Sequence, residues 1–388
     1  MRKYALPSAW FLALWLSGCG GGGNGGGLAF DTFNDPPADA PASPTASTPA
    51  QPDAGQAPAP GQANAPVTGT LISADNAVLL TRSTLDIVAK LVSAGRLVTA
   101  MVRDGASLIV ADGTRSGATV NASACQGAAA GSAGSANRIT FAVFQPGHFL
   151  PPGKNLNGSF VRCASGAVVL SGFMDLSALQ VTGDPSAAMG DWQVSGILSF
   201  SGLVFHNADG TETFFTNKLR YRVEQSNRVL TTTLDIESMN AEHVLDDQTH
   251  VNYLLEPFYV QTIADDAAGR YTLLIVPGPA TGASIINRYT TRYRPDGQGG
   301  MNWQSIGDDI ELRVDTAGNP PTWAVSRPDL YSEAPMAGEL LLSDRIGSHS
   351  ITATLDNSQG SGVVILHVDE GATVSSQFAD WQTLVSTP

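Results

Sequence analysis

The chain has 388 residues, of which 14% are charged, and carries a formal charge of −14 with 41 glycines, 23 prolines and 3 cysteines. So acidic a chain does not suit nucleic acid or an anionic bilayer surface as a general partner. Sparse charge with abundant Gly, Ser, Thr, Val and Leu fits a β-rich exported protein. No Walker or Rossmann glycine pattern follows a strand and opens a helix, so no cofactor is expected.

Arg2 and Lys3 precede an apolar run from Tyr4 to Leu16, interrupted by Pro7 and Ser8. That is the layout of a secretory signal peptide over 1–18, too short to be a spanning helix. The run ends at Leu16-Ser17-Gly18-Cys19, which resembles the lipobox of bacterial lipoproteins. The resemblance implies cleavage before Cys19, acylation of its thiol and amino group, and the membrane as a partner through those chains. Each buried methylene contributes roughly 0.8 kcal/mol, so two or three chains hold the protein effectively permanently. Gly20 stands where that family's inner-membrane retention signal places aspartate, which implies the outer membrane, on its periplasmic or its surface side. Loss of the leader removes two cations and no acid, making the chain more acidic still.

Residues 19–66 read as a tether. Gly20 to Gly27 is glycine broken only by Asn24, and Asp35 to Pro66 is built from Pro, Ala, Ser, Thr, Gln and Gly with no basic residue. Such a segment buries too little apolar surface to offset its ordering entropy, and a coil of this length spans on the order of 40 Å. Leu28, Phe30 and Phe33 are its one apolar interruption.

The region 67–388 is long enough for one large domain or two subdomains. Ser73 or Asp75 can cap a helix whose apolar face is Val78, Leu85, Val88 and Val92, with Arg82, Asp86 and Lys90 away from it and Gly95 placed to end it. Two strands, Leu97 to Val102 and Ser107 to Ala111, then flank Asp104-Gly105 as a hairpin. Ile139 to Phe144 is the next strand. Cys125 and Cys163 are an even pair in an oxidising compartment and are expected to form a disulfide across a Gly-rich stretch. Strand patterns continue at Ser159–Cys163, Ala167–Leu176, Trp192–Phe200, Thr213–Glu224 and Val229–Glu237, punctuated by Asp209-Gly210. Later come Phe258–Ile263, Tyr271–Val276, Ser284–Arg294, Met301–Ser305 and Asp309–Val314, with Asp296-Gly297 as a further turn. Glu339–Leu342, Ile351–Leu355 and Val363–Val368 close the series. The fold class expected is all-β: an antiparallel meander, sandwich or open barrel with one N-terminal amphipathic helix. The order of early helix, cysteine pair and many strands is similar to that of exported bacterial lipoproteins of unassigned function, which implies no activity.

Several residue groups are candidate sites. Arg288, Arg292 and Arg294 share one strand face, and Arg220 and Arg222 alternate around Tyr221. Guanidinium forks suit phosphate or carboxylate, so these five form the candidate anion-binding face, against the plainer reading of cross-strand pairing with Asp235, Glu237 or Asp309. His243, Asp247 and His250, with Glu242 and Asp246, are the densest set of metal-ligand types, but their spacing matches no motif of established geometry and a polar loop is the plainer reading. Asp309 and Glu311 would lie roughly 6.5–7 Å apart on a strand, near the separation glycosidases use, yet alternation with Ile310 and Leu312 is also what a half-buried strand shows. Trp192, Trp303, Trp323 and Trp381 read as core aromatics before they read as a sugar-stacking surface. No G-x-S-x-G occurs, and His148, His206, His349 and His367 are scattered.

With no convergent acid, base or nucleophile set, the sequence reads as a lipid-anchored binding or accessory module of the outer membrane rather than an enzyme. The expected partner is an envelope protein or an anionic envelope polymer. The alternatives are an envelope hydrolase of glycans or esters, and a lipid carrier built on an open barrel.

Overall fold

The computed structural model describes residues 70–112, 119–121, 125, 138–141, 155–165, 168–246, 248–276, 282–307, 309–316, 318–324, 330–331, 333–355 and 362–385. The leader, Cys19, the tether, His148 and Asp247 lie outside them. Helix α1 (Ala77–Asp112) is followed by β1 (Thr119–Asn121), β2 (Arg138–Phe141), β3 (Leu156–Ser165), β4 (Val168–Thr182), β5 (Trp192–His206), β6 (Glu212–Ser226) and β7 (Val229–Ile236). Next come β8 (Met239–Asp246), β9 (Thr249–Leu255), β10 (Phe258–Asp265), β11 (Arg270–Val276), β12 (Ser284–Pro295), β13 (Met301–Ser305) and β14 (Ile310–Asp315). The chain continues through β15 (Thr322–Trp323), β16 (Glu339–Asp344), β17 (Ser350–Leu355), β18 (Val363–Asp369), β19 (Val374–Asp380) and α2 (Trp381–Val385).

All strand pairs are antiparallel and belong to one open sheet. Strands β1 to β6 form a meander. At β6 the sheet forks: its C-terminal half pairs β7, which leads to β10, β11 and β15, while its N-terminal half pairs β8. The β8 branch runs on through β9, β12, β14, β16, β17 and β18 to the edge strand β19. The sheet curves round α1, which touches β2, β3 and β4 near one end of this order and β17 and β18 near the other.

The helix corrects the expectations most. It runs through Gly95 and Asp104-Gly105 to Asp112, so the two strands expected at Leu97–Val102 and Ser107–Ala111 are helical. Leu97, Val98, Met101 and Val102 are all buried, a spacing that suits a helix face. Gly95 is not a terminator; a methyl group there would stand 3.4 Å from Leu234 on β7, so the glycine lets helix and strand approach closely. Asp86 and Lys90, expected to face away from the packed side, are buried as an ion pair, and Lys90 is 2% exposed. Asp86 and Lys90 lie on the enclosed side of the helix, where a charge has no water to face and must be paired. The polar stretch expected as a loop around Glu242 is the hairpin β8–β9. Cys125 and Cys163 form the expected disulfide. None of the helices described is long and apolar enough to cross a membrane.

Candidate functional site

The strongest surface lies on the outer face of β12 and its neighbours. Along β12 the even-numbered residues from Ser284 to Thr290 are buried, so Asn287, Tyr289, Thr291 and Tyr293 face out. Asp296-Gly297 turns the chain into β13, whose five residues are all exposed, and Tyr293 stands directly opposite Trp303. The hairpin therefore extends past the strands that flank its base. Trp303 is 41% exposed, yet two rings hold it: His250 at 4.1 Å and Tyr293 at 5.4 Å between centroids. The His250 imidazole is itself held by Glu242, with Nδ1 2.5 Å from Oε1. Beside it Asn252 donates to Thr291 Oγ1 at 2.9 Å. Four strands thus fix an aromatic shelf ringed by polar groups, the composition of a site that orients a ligand by stacking and hydrogen bonds.

Farther along the same face a cavity of about 430 Å³ is lined by Leu71, Tyr289, Asp309, Glu311, Arg345 and Ile346, among others. The two candidate carboxylates therefore do share a cleft. Asp309 Oδ1 accepts from Ser305 Oγ at 3.0 Å, and Glu311 Oε1 lies 4.0 Å from Arg345 Nε. Each carboxylate thus has its own polar neighbour, a layout suited to binding polar groups.

The five arginines do not form one face. Arg220 and Arg222 lie on the outer face of β6, lining a groove of about 470 Å³ with Gln180, Tyr259 and Gln261. Arg220 is engaged across strands as the plainer reading expects, 3.6 Å from Asp235, whereas Arg222 stands 2.5 Å from Glu224 on its own strand. Arg288 is on the inner face of β12, 7% exposed, beside the buried Tyr253, whose hydroxyl pKa is raised chiefly by desolvation. Arg292 donates from Nε to Thr249 Oγ1 at 3.2 Å, and Arg294 is exposed.

The histidines of the metal candidate separate because β8 and β9 pair with His243 opposite Val251 and His250 opposite Val244. His243 points inward and His250 outward. No group of three metal-ligand residues converges among the described residues. His243 Nδ1 lies 3.1 Å from Thr213 Oγ1 and 3.3 Å from Asn207 Nδ2. Burial first, then the Lys90 charge, lowers its pKa below the ordinary histidine value. Lys90 is likewise lowered by burial, an effect opposed by Asp86. Tyr331 closes this interior cluster by donating to Asp86 Oδ1 at 3.0 Å.

Of the four tryptophans weighed as a stacking surface, Trp192, Trp323 and Trp381 are core residues and Trp303 alone is exposed. The sequence signal for that exception is its place beside Asp296-Gly297, at the far end of a hairpin from the core. No protein-family model, curated protein or solved structure matches the chain.

Proposed function

We propose that the protein is a lipoprotein, anchored to the bacterial outer membrane through acylated Cys19, that binds a saccharide polymer of the cell envelope on the outer face of β12. The observation that carries the reading is Trp303, exposed yet held between His250 and Tyr293. An ordered aromatic plate presents its area to a ligand without the entropy cost of fixing a mobile side chain. Asparagine, threonine and carboxylate groups lie within the same face to meet hydroxyls. Glu242, Asp309 and Glu311 favour a neutral or amino-bearing polymer over an acidic one. The carrier alternative would require α1 to leave the interior that it fills.

The test is co-sedimentation of the full-length acylated protein, in detergent, with insoluble envelope polysaccharide and with chitin as a neutral amino-sugar probe. Binding is expected to weaken at least tenfold in Trp303→Ala and to remain in Arg294→Gln. Equal retention of wild type and Trp303→Ala would remove the shelf as the contact. Metabolic labelling with an alkyne fatty acid tests the anchor, and label that persists in Cys19→Ser would remove it.

A further inference from the structure

Away from that shelf, three residues meet on the outer faces of β4, β5 and β6, Glu212 directly opposite His206 and Ser171 diagonal to it. Ser171 Oγ lies 2.9 Å from His206 Nε2, and His206 Nδ1 lies 3.1 Å from Glu212 Oε1. We propose that Ser171, His206 and Glu212 form a nucleophile, base and orienting acid that hydrolyse short-chain carboxylic esters, independently of saccharide binding at Trp303.

The hydrogen bonds fix the roles. An ionised carboxylate can only accept, so His206 carries its proton on Nδ1 and leaves Nε2 free to take the Ser171 proton. His206 and Glu212 are direct partners at the turn end of the β5–β6 hairpin. Its turn is locked by Asn207 N to Thr211 O at 2.9 Å and by Asp209 Oδ1, which accepts from Thr211 N and Oγ1. The acid therefore stands where it holds the imidazole. Ser171 sits where irregularities coincide on three adjacent strands, between Phe160 and Cys163, Ser171 and Phe173, and Phe200 and Leu203. Bulges re-aim side chains in this way and are over-represented beside active sites. In the first of them Arg162, at φ 47°, donates its N–H to Ser171 Oγ at 2.9 Å, which stabilises negative charge building on that oxygen. His206 is 21% exposed, so a substrate reaches it, and the outward-facing Val169, Val204, Phe214 and Val244 give an apolar floor for a short acyl group.

In the first step Ser171 Oγ bonds to the acyl carbon while its proton passes to His206 Nε2. The bond to the alcohol oxygen breaks, and the alcohol leaves with that proton. Water then gives a proton to Nε2 and its hydroxyl to the acyl carbon. The carboxylic acid departs, and Ser171 recovers its proton from His206.

The test treats the full-length protein with a fluorophosphonate probe and maps the modified residue by mass spectrometry, alongside 4-nitrophenyl acetate turnover. Labelling is expected at Ser171, absent in Ser171→Ala and slowed about 100-fold in His206→Ala, with Glu212→Gln slowed less. Wild-type protein with no modified serine, or with label spread over other serines, would overturn the proposal without depending on any variant folding. Acetate turnover unchanged in both Ser171→Ala and His206→Ala would overturn it as well.

Discussion

The interior around α1 and the arm formed by β12 and β13 invert the usual placement of side chains. The helix carries Asp86 and Lys90 into the core, whereas the arm carries Tyr293, Met301 and Trp303 into solvent. The causes differ. A helix ringed by sheet keeps a charge only if its partner travels with it, and an i,i+4 spacing supplies that partner before any strand arrives. Among the described residues the arm pairs with no flanking strand beyond its base, so core packing does not account for large aromatics there. Buried charge in the first region is explained by architecture, and exposed aromatic surface in the second is what the proposed saccharide contact would use.

The largest effect comes from breaking the interior pair on one side. Lys90→Met leaves the Asp86 carboxylate buried without its cation and is expected to cost roughly 3–5 kcal/mol in urea unfolding, whereas Lys90→Met combined with Asp86→Leu is expected to restore most of it. Recovery absent in the double variant would mean that the pair specifies the position of the helix rather than merely neutralising it.

His243 supplies a pH test of the same interior. Its folded pKa lies below the ordinary value of 6.5, so between those two points the unfolded chain binds the proton and the folded one does not. Stability from this group is fully present above 6.5 and declines as pH falls below it. The melting temperature of His243→Phe is therefore expected to fall less than that of wild type between pH 7.5 and 5.5. Parallel slopes for the two proteins would place the acid sensitivity elsewhere.

Smaller again is Tyr221→Phe. The Tyr221 hydroxyl lies 2.7 Å from Thr99 Oγ1, itself bonded to Gly95 O, and burial pushes its pKa up. Loss of the hydroxyl is expected to cost about 1 kcal/mol by thermal unfolding. Trp303→Ala should change stability by less than about 0.5 kcal/mol while weakening polymer retention as stated above. A large loss of stability in that variant would make the shelf a packing element and dissolve the contrast between the two regions.

The arm was legible because its signals are local: period-two alternation from Ser284, a turn dipeptide at Asp296-Gly297 and a second short strand at Met301–Ser305. The helix was legible only to Gly95. Beyond that point a glycine and an Asp-Gly dipeptide outweighed the helical spacing of Leu97, Val98, Met101 and Val102. What decides the matter is β7, far along the chain, against which Gly95 packs. The β8–β9 hairpin was hidden by its polar outer face, and the edge strand β19 by the polar run Ser375, Ser376 and Gln377. The Asp309 and Glu311 cleft could be suspected from spacing alone. The set Ser171, His206 and Glu212 could not, because pairing registers and three bulges bring it together.

Contacts of α1 and the turn before it reach far along the chain: Tyr331 bonds Asp86 across 245 positions, and Glu370 accepts from the Ala74 N–H across 296. The helix is thus made first and enclosed last. Until the later strands are made, a long, mostly apolar helix has no lasting shelter, and folding dominated by such distant pairings is slow. The Asp86–Lys90 pair and the threonines beside it give that waiting helix a wettable side. The residues that seem misplaced in the finished core are those that would keep its precursor from aggregating.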